Sequence, residues 1–151
     1  MASQPGLFRV DVDSRRVSRL PGAADLQYPK CGRQGQVLAM VRPKVEAGAL
    51  AEFRVLRPGH ADWENVGPVS GSASASWSRD GESVIGMNQV AERIERRWLR
   101  TGRVEVLADV RDLRLAWVGG ARWMGLGPGD VPLVVEDLST TDLYALDWEA
   151  P

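Results

Sequence analysis

Short stretches in which apolar and polar residues alternate are the main pattern of this chain. The first stretch, Leu7–Val12, is followed by a polar turn and a second short stretch that ends at Leu20. Similar segments begin at Glu52 and at Ile94, and a half copy covers residues 143–148. Because successive side chains of a strand point to opposite faces, this pattern predicts short antiparallel β-strands.

A second recurring segment is a hairpin with a tight glycine turn. Its clearest copy is Ala75–Met87, which contains Asp80-Gly81. An earlier copy spans Tyr28–Met40 and a later one spans Trp123–Val135. Glycine supplies the positive φ that such turns need, so we expect a β-hairpin in each copy.

The stretch Asn88–Leu99 is the one place where a helix competes with this interpretation. Val90, Ile94 and Trp98 are spaced every four residues, as on one face of a helix. The repeat instead makes Ile94–Leu99 a strand that follows a loop. We favour the strand, because the neighbouring strands would otherwise lose their partner.

Both kinds of segment recur about every 40–50 residues, which is typical of the four-stranded blades of a β-propeller. We therefore expect an all-β fold, a partial β-propeller of about three to three and a half four-stranded antiparallel blades in one domain. The chain divides into blade-like units at roughly 7–46, 52–92 and 94–137, with a final strand at 143–148.

The hairpin Ser76–Ile85 resembles the WD40-like repeat of TolB-type β-propellers, in which Trp-Ser-Pro-Asp-Gly precedes a short apolar strand. This chain has Arg79 where that family prefers proline, and the first copy has Cys31 in place of tryptophan. The run from Leu126 to Trp148 resembles the last blade of C-terminal propellers on bacterial winged-helix regulators and serine/threonine kinases. This resemblance implies a sensor or interaction domain.

Complete propellers of this type have about six to eight blades, so half a ring would leave one blade face open. Exposed strand edges and apolar faces favour association. We therefore expect a homo-oligomer, most simply a dimer in which two copies complete one ring. Neither a winged-helix domain nor a kinase domain is present in the sequence.

Charge and cysteine content narrow the partners and the compartment. With 19 Lys and Arg against 20 Asp and Glu, the formal net charge is -1, which does not favour nucleic acid or an anionic membrane. Cys31 is the only cysteine, which excludes a disulfide within the chain. No signal peptide or apolar run of about 20 residues is visible, so we expect a cytoplasmic protein.

No set of residues indicates catalysis, and we expect a non-enzymatic protein with no cofactor. The single histidine, His60, lies in a predicted turn, and no Gly-x-Ser-x-Gly motif is present. One histidine and one cysteine cannot form a zinc site, and the aspartates lack calcium-loop spacing, so we predict no metal. Cys31 is expected to be buried and inert.

Tryptophan suggests where a ligand could be contacted. Trp77, Trp98 and Trp148 lie at repeat or strand positions and are expected in the core. The candidates for ligand contacts on an axial or loop surface are Trp63, Trp117, Trp123 and Arg79.

The predicted function is a binding or sensor scaffold for a protein partner or a small ligand. Two alternatives remain open. One is the accessory propeller of a peptidase or hydrolase. The other is a carbohydrate-binding propeller, in which exposed tryptophans stack on sugars.

Overall fold

The computed structural model of the chain describes residues 6–41, 52–68, 75–118 and 121–140. In these ranges every regular element is a β-strand, apart from a short 3₁₀ turn at Pro128–Asp130. The last predicted strand, 143–148, lies outside the described residues. No helix in the described ranges has the length and hydrophobicity needed to cross a bilayer.

Two four-stranded antiparallel sheets form the centre of the chain, and in each the strands are neighbours in sequence order. The strands of the first sheet are β3 (Leu26–Cys31), β4 (Val37–Val41), β5 (Glu52–Leu56) and β6 (Trp63–Pro68). The strands of the second sheet are β7 (Ser76–Trp77), β8 (Ser83–Asn88), β9 (Arg93–Trp98) and β10 (Val104–Asp109).

Smaller two-stranded antiparallel sheets flank this pair. The one before them is formed by β1 (Phe8–Val10) and β2 (Val17–Arg19). The two after them are formed by β11 (Trp117–Val118) with β12 (Ala121–Arg122), and by β13 (Met124–Leu126) with β14 (Pro132–Val134).

The sheets begin half a repeat away from the units expected from the sequence. Instead of the units 7–46, 52–92 and 94–137, hydrogen bonding joins strands β3 to β6 into one sheet and strands β7 to β10 into the next. The pairing of β4 with β5 and of β8 with β9 explains the shift. The first and second glycine-turn hairpins each belong with the strand pair that follows them, whereas the sequence units joined them to the pair before.

The ambiguous stretch after Asn88 is a strand, as the repeat predicted. Residues 89–92 form a turn, and β9 pairs with β8 along its whole length, from Ser83 opposite Trp98 to Asn88 opposite Arg93. Asn88 stabilises this turn, because its side-chain oxygen accepts a hydrogen bond of 2.9 Å from the amide of Ala91. The helical spacing of Val90, Ile94 and Trp98 is therefore coincidental.

Apolar side chains from successive sheets meet in three clusters. Leu38, Met40, Phe53 and Val55 of the first sheet pack against Val84 of the second. Ala39 points the opposite way, into a cluster with Leu7, Ala23 and Leu26. Ile85, Met87 and Ile94 pack on the far side of the second sheet, against Val110, Leu115 and Met124.

This arrangement explains why consecutive residues in the middle of β4 and β8 are buried. Both faces of each strand are covered by a neighbouring sheet, so neighbouring residues such as Val84 and Ile85 are both fully buried. The sheets therefore stack face to face, as the blades of a propeller do.

The hairpin β1–β2 has one covered and one open face. Leu7 is buried, whereas Phe8 and Val10 are 56% and 59% exposed. Val17 lies opposite Val10 in the sheet and is also exposed. In the described part of the chain, nothing covers this small apolar surface, which we call the open face.

Candidate functional site

The first strands of three sheets, β3, β7 and β13, end around one pocket of about 570 Å³. Its wall consists of residues 30–33, 76–79 and 126–130. Each segment combines the end of a first strand with the turn that follows it. Because the first strands of propeller blades surround the central axis, we call this cavity the axial pocket.

A network of side-chain hydrogen bonds organises the turn after β7. The buried Ser78 hydroxyl donates to the Asp80 carboxylate at 2.6 Å and accepts from the amide of Ser83 at 3.0 Å. The same Asp80 oxygen accepts from the Glu82 amide at 2.9 Å. The Ser78 hydroxyl, the Glu82 amide and then Arg96 hold the pKa of Asp80 below its usual value. Gly81 adopts the positive φ of 73° that the sequence predicted.

The turn after β3 reaches the same shape without a carboxylate. Gly35 has a φ of 82°, and its amide donates to the Gly32 carbonyl at 3.1 Å. The buried Gln36 side chain lies between the two turns, where it fills the space beside Gly32 and Gly81 that a Cβ atom would need. The side-chain amide of Gln34 donates a hydrogen bond of 3.1 Å to the backbone carbonyl of Asp80, and this bond connects the two turns.

The third turn contributes the carboxylate of the pocket. Asp130 ends the short 3₁₀ turn with a φ of 62°, and its carboxylate accepts from the backbone amide of Arg79 at 2.8 Å. Its other oxygen lies 3.9 Å from the Arg96 guanidinium. Asp130 therefore links the second and third turns across the pocket.

Trp77 joins the first two strands at the pocket wall. Its indole nitrogen donates to the Lys30 carbonyl at 2.9 Å, and its ring packs against the cluster around Phe53. Lys30 itself is partly buried, and this burial lowers the pKa of its ammonium group. A positive charge thus lies where water only partly solvates it.

The wall of the axial pocket carries more positive than negative charge. Lys30, Arg33 and Arg79 contribute cations, and Asp130 is the one carboxylate among the lining residues. That carboxylate is already bound by the Arg79 amide and by Arg96. The pocket is therefore suited to a ligand or partner that brings negative charge.

Of the four site residues proposed from the sequence, the structure places Arg79 in the wall of the axial pocket. Trp63, Trp117 and Trp123 are not among the lining residues. The indole nitrogen of Trp63 donates to the Pro21 carbonyl at 2.9 Å, and its ring packs against the cluster that contains Leu7 and Leu26. Trp63 thus joins the first sheet to the segment before it.

Trp117 and Trp123 belong to a hairpin inserted into a first strand. Leu115 pairs with Glu136, and Met124 pairs with Val134, so the intervening residues loop out of the ladder. The Val135 carbonyl accepts a hydrogen bond from the backbone amide of Ala116, and the Val131 carbonyl accepts one from the amide of Gly127, both at 2.8 Å. The residues before and after the inserted hairpin therefore pair with the same edge of the segment that contains β14. The sequence repeat did not reveal this insertion.

Lys30, Arg33 and Asp130 were missed as site residues. A signal for Arg33 was present, because Arg33 occupies the same turn position as Arg79 when the two hairpins are superposed at Cys31 and Trp77. The expectation that Cys31 is buried was wrong. This cysteine is exposed because it lies at the last position of β3, where the strand borders the pocket.

Two serines and one cysteine, Ser76, Ser78 and Cys31, are among the residues of the pocket wall. The hydroxyl of Ser78 is bound within its own turn, and His60 lies in the turn after β5, outside the lining residues. Within the ranges that the structure describes, no three His, Cys, Asp or Glu side chains are grouped to share a metal ion. The pocket can provide charged groups, backbone groups, the edge of the Trp77 indole and the Cys31 thiol.

Comparison with known proteins identifies the fold. No protein-family model matches the chain, and no curated protein matches it. Among solved structures, the crystal structure of TolB from Acinetobacter baumannii superposes with a TM-score of 0.58 at 15% sequence identity. The match covers 86% of this chain and 31% of the TolB chain.

The fold is that of a partial β-propeller of the TolB type. The superposition confirms the resemblance seen in the hairpin Ser76–Ile85, although the sequence identity is too low to carry anything beyond the fold. The chain spans about a third of the TolB structure, which is consistent with its two complete four-stranded sheets and its two-stranded flanking sheets.

Proposed function

We propose that this protein is a non-catalytic propeller scaffold that binds a small ligand or a protein partner at the axial pocket. One observation carries this proposal: three turns at repeated positions converge on a single cavity of about 570 Å³. That volume lies in the usual range of ligand sites. In such a scaffold the stacked sheets provide rigidity and the turns provide recognition.

Amide NMR with a chemically mixed set of small compounds tests this function. We expect binders to shift the amide signals of residues 30–33, 76–79 and 126–130 together, because one ligand would contact all three turns. Binders that consistently shift other surfaces, and leave these three segments unchanged, would contradict the proposal. The exposed turn around Gly59 serves as an internal reference.

A second copy of the chain is the proposed partner for the open face of β1–β2. The support is its exposed apolar side chains, Phe8, Val10 and Val17, since such a surface favours association. Light scattering over a concentration series should give twice the mass of the chain, and Phe8→Glu should shift the protein towards the monomer. A monomer at all concentrations would exclude this partner. The expected location remains the cytoplasm.

Carbohydrate binding is a second candidate function, favoured by the exposure of two indoles. Trp117 and Trp123 are 65% and 43% exposed, and tryptophan faces of this kind can stack on sugar rings. A glycan array tests it, with Trp117→Ala as the matched variant. Sugar binding that survives this substitution would exclude Trp117 as the contact.

A further inference from the structure

Arg33 and Arg79 occupy equivalent positions in the first and second turns. In each turn a glycine amide donates to the carbonyl three residues earlier, at 3.1 Å in the first and 3.0 Å in the second. The arginine directly follows that carbonyl residue in both turns, and both arginines line the axial pocket. The third turn has Pro128 at this position, so two of the three turns place an arginine in the pocket wall.

These arginines are not neutralised by neighbouring carboxylates. In the described ranges, neither guanidinium takes part in an ion pair, and Asp130 is bound by the Arg79 backbone amide and by Arg96. Two other surface arginines of this chain are paired with carboxylates. Arg57 pairs with Glu64 at 3.0 Å, and Arg111 pairs with Asp109 at 2.7 Å.

Lys30 adds a third cation, in less favourable surroundings. Its partial burial costs solvation, and no carboxylate among the described residues offsets that cost. A bound anion would supply the missing partner and would favour the charged ammonium. Three cations with one engaged carboxylate leave the pocket with a surplus of positive charge.

We propose that the axial pocket binds a small anion with at least two negative charges, and that Arg33, Arg79 and Lys30 together bind it. This inference rests on the proposed function of the pocket as the binding site. Guanidinium groups suit carboxylate and phosphate oxygens, because they donate two parallel hydrogen bonds. The cavity volume of about 570 Å³ matches a small molecule.

A neighbouring cavity of about 690 Å³ provides the contrast. It contains Arg57 and Arg103, but Glu64 and Glu105 lie 3.0 and 3.8 Å from their guanidinium groups. Its charge is therefore largely compensated within the protein. Arg100 lines this second cavity, is exposed, and serves as the matched control.

Calorimetric titration of the full chain with citrate and with pyrophosphate tests the proposal. We expect both anions to bind and uncharged glycerol not to bind. Arg33→Ala and Arg79→Ala should each weaken binding by about tenfold, and the double variant should abolish it, because each substitution removes a charge-assisted contact. Arg100→Ala should bind as the unmodified protein does, and added salt should weaken binding.

The Lys30 ammonium provides an independent readout. NMR titration should show its pKa rising when citrate is bound, and Arg79→Ala should reduce that rise. Binding in which both arginine variants equal Arg100→Ala would overturn the proposal, as would affinity for an acidic peptide without affinity for either small anion.

The failure of this inference can be separated from failure of the proposed function. If neither anion binds while uncharged compounds still shift the amides of the three turns, the ligand class is wrong and the axial pocket remains the binding site. If no compound of either kind shifts those amides, both proposals fail together.

Discussion

The turns after β3 and β7 have the same shape but different chemistry. The second turn is organised by Ser78 and by the Asp80 carboxylate, which accepts from the Glu82 amide. The first turn has Gly32 in the place of Ser78, and no carboxylate. It relies on Gln36, whose side chain packs between the two turns. Backbone shape is thus shared between the repeats, whereas the side chains that stabilise it are not.

This difference makes the first turn dependent on the second. Ser78 and Asp80 bind within their own turn, but Gln34 and Gln36 reach across to the neighbouring one. Substitutions in the second turn should therefore disturb the first turn strongly. Substitutions in the first turn should disturb the second turn less. Four predictions test this asymmetry, starting with the largest expected effect.

The largest effect is expected for Gly81→Ala compared with Gly35→Ala. Both glycines have positive φ, 73° and 82°, so each substitution should cost roughly 1–2 kcal/mol of backbone strain. At Gly81 the new Cβ atom would also meet the side chain of Gln36, which is buried and already packed against Gly32. Displacing Gln36 should add about 1–3 kcal/mol.

Urea unfolding of both variants measures this difference in free energy. At Gly35 a Cβ atom would meet only Pro58, at an ordinary contact distance of 3.5 Å. Equal destabilisation by the two substitutions would show that Gln36 adapts freely and that it does not couple the turns.

The second prediction compares Trp77→Phe with Cys31→Ala, since these residues occupy equivalent positions. Trp77→Phe removes the hydrogen bond to the Lys30 carbonyl and should destabilise the protein by about 1–2 kcal/mol. Cys31 is exposed, so Cys31→Ala should change stability by less than about 0.5 kcal/mol. Thermal unfolding measures both, and a larger effect at Cys31 would contradict the assignment of roles.

The third prediction concerns the buried hydroxyl of Ser78. Ser78→Ala leaves the amide of Ser83 without its side-chain acceptor and should cost about 1 kcal/mol in the free energy of unfolding. Ser14 makes a similar contact with Asp11, but in an exposed turn. Ser14→Ala serves as the control, and it should cost clearly less than Ser78→Ala in urea unfolding.

The smallest effect is a dependence on pH. The Ser78 hydroxyl and the Glu82 amide lower the pKa of Asp80 in the folded state, so its ionised form favours folding. This contribution is present above the usual pKa of 3.8 and is lost as the pH falls through the lower, folded value. Asp80→Asn should flatten the acid side of the stability profile.

Acid titration of the thermal midpoint compares the two proteins. Asp11, Asp109 and Asp137 also have lowered pKa values, because nearby Ser14, Arg111 and Ser139 donate hydrogen bonds to their carboxylates. The variant should therefore retain part of the acid sensitivity. Identical profiles for the two proteins would mean that Asp80 contributes nothing to the turn.

Sequence reasoning predicted local features well and their grouping poorly. The hairpins around Gly35, Gly81 and Gly129 are present, each with a positive-φ glycine in its turn. The repeat period also predicted the strand β9 against a helical pattern. The division into sheets was displaced by half a repeat, since alternation shows which residues form strands but not which neighbouring strands pair.

The candidate site shows the same limit. Arg79, which stands where the TolB-type motif prefers proline, was proposed for an axial or loop surface, and it does line the axial pocket. Trp63 was proposed from its lack of a repeat position, yet its indole binds the Pro21 carbonyl, 42 residues away. Lys30 and Asp130 carry no local signal, because only the packing of the three sheets brings them to one cavity.

The sequence alone determined the all-β class, the turns and the strand period of this protein. Those features depend on interactions within a few residues, namely glycine at positive φ and the alternation of apolar side chains. The tertiary structure decided the sheet boundaries, the open face, the inserted hairpin and the axial pocket. These features depend on contacts between residues that are far apart in the sequence. One example is the hydrogen bond between Lys30 and Trp77, which are 47 positions apart.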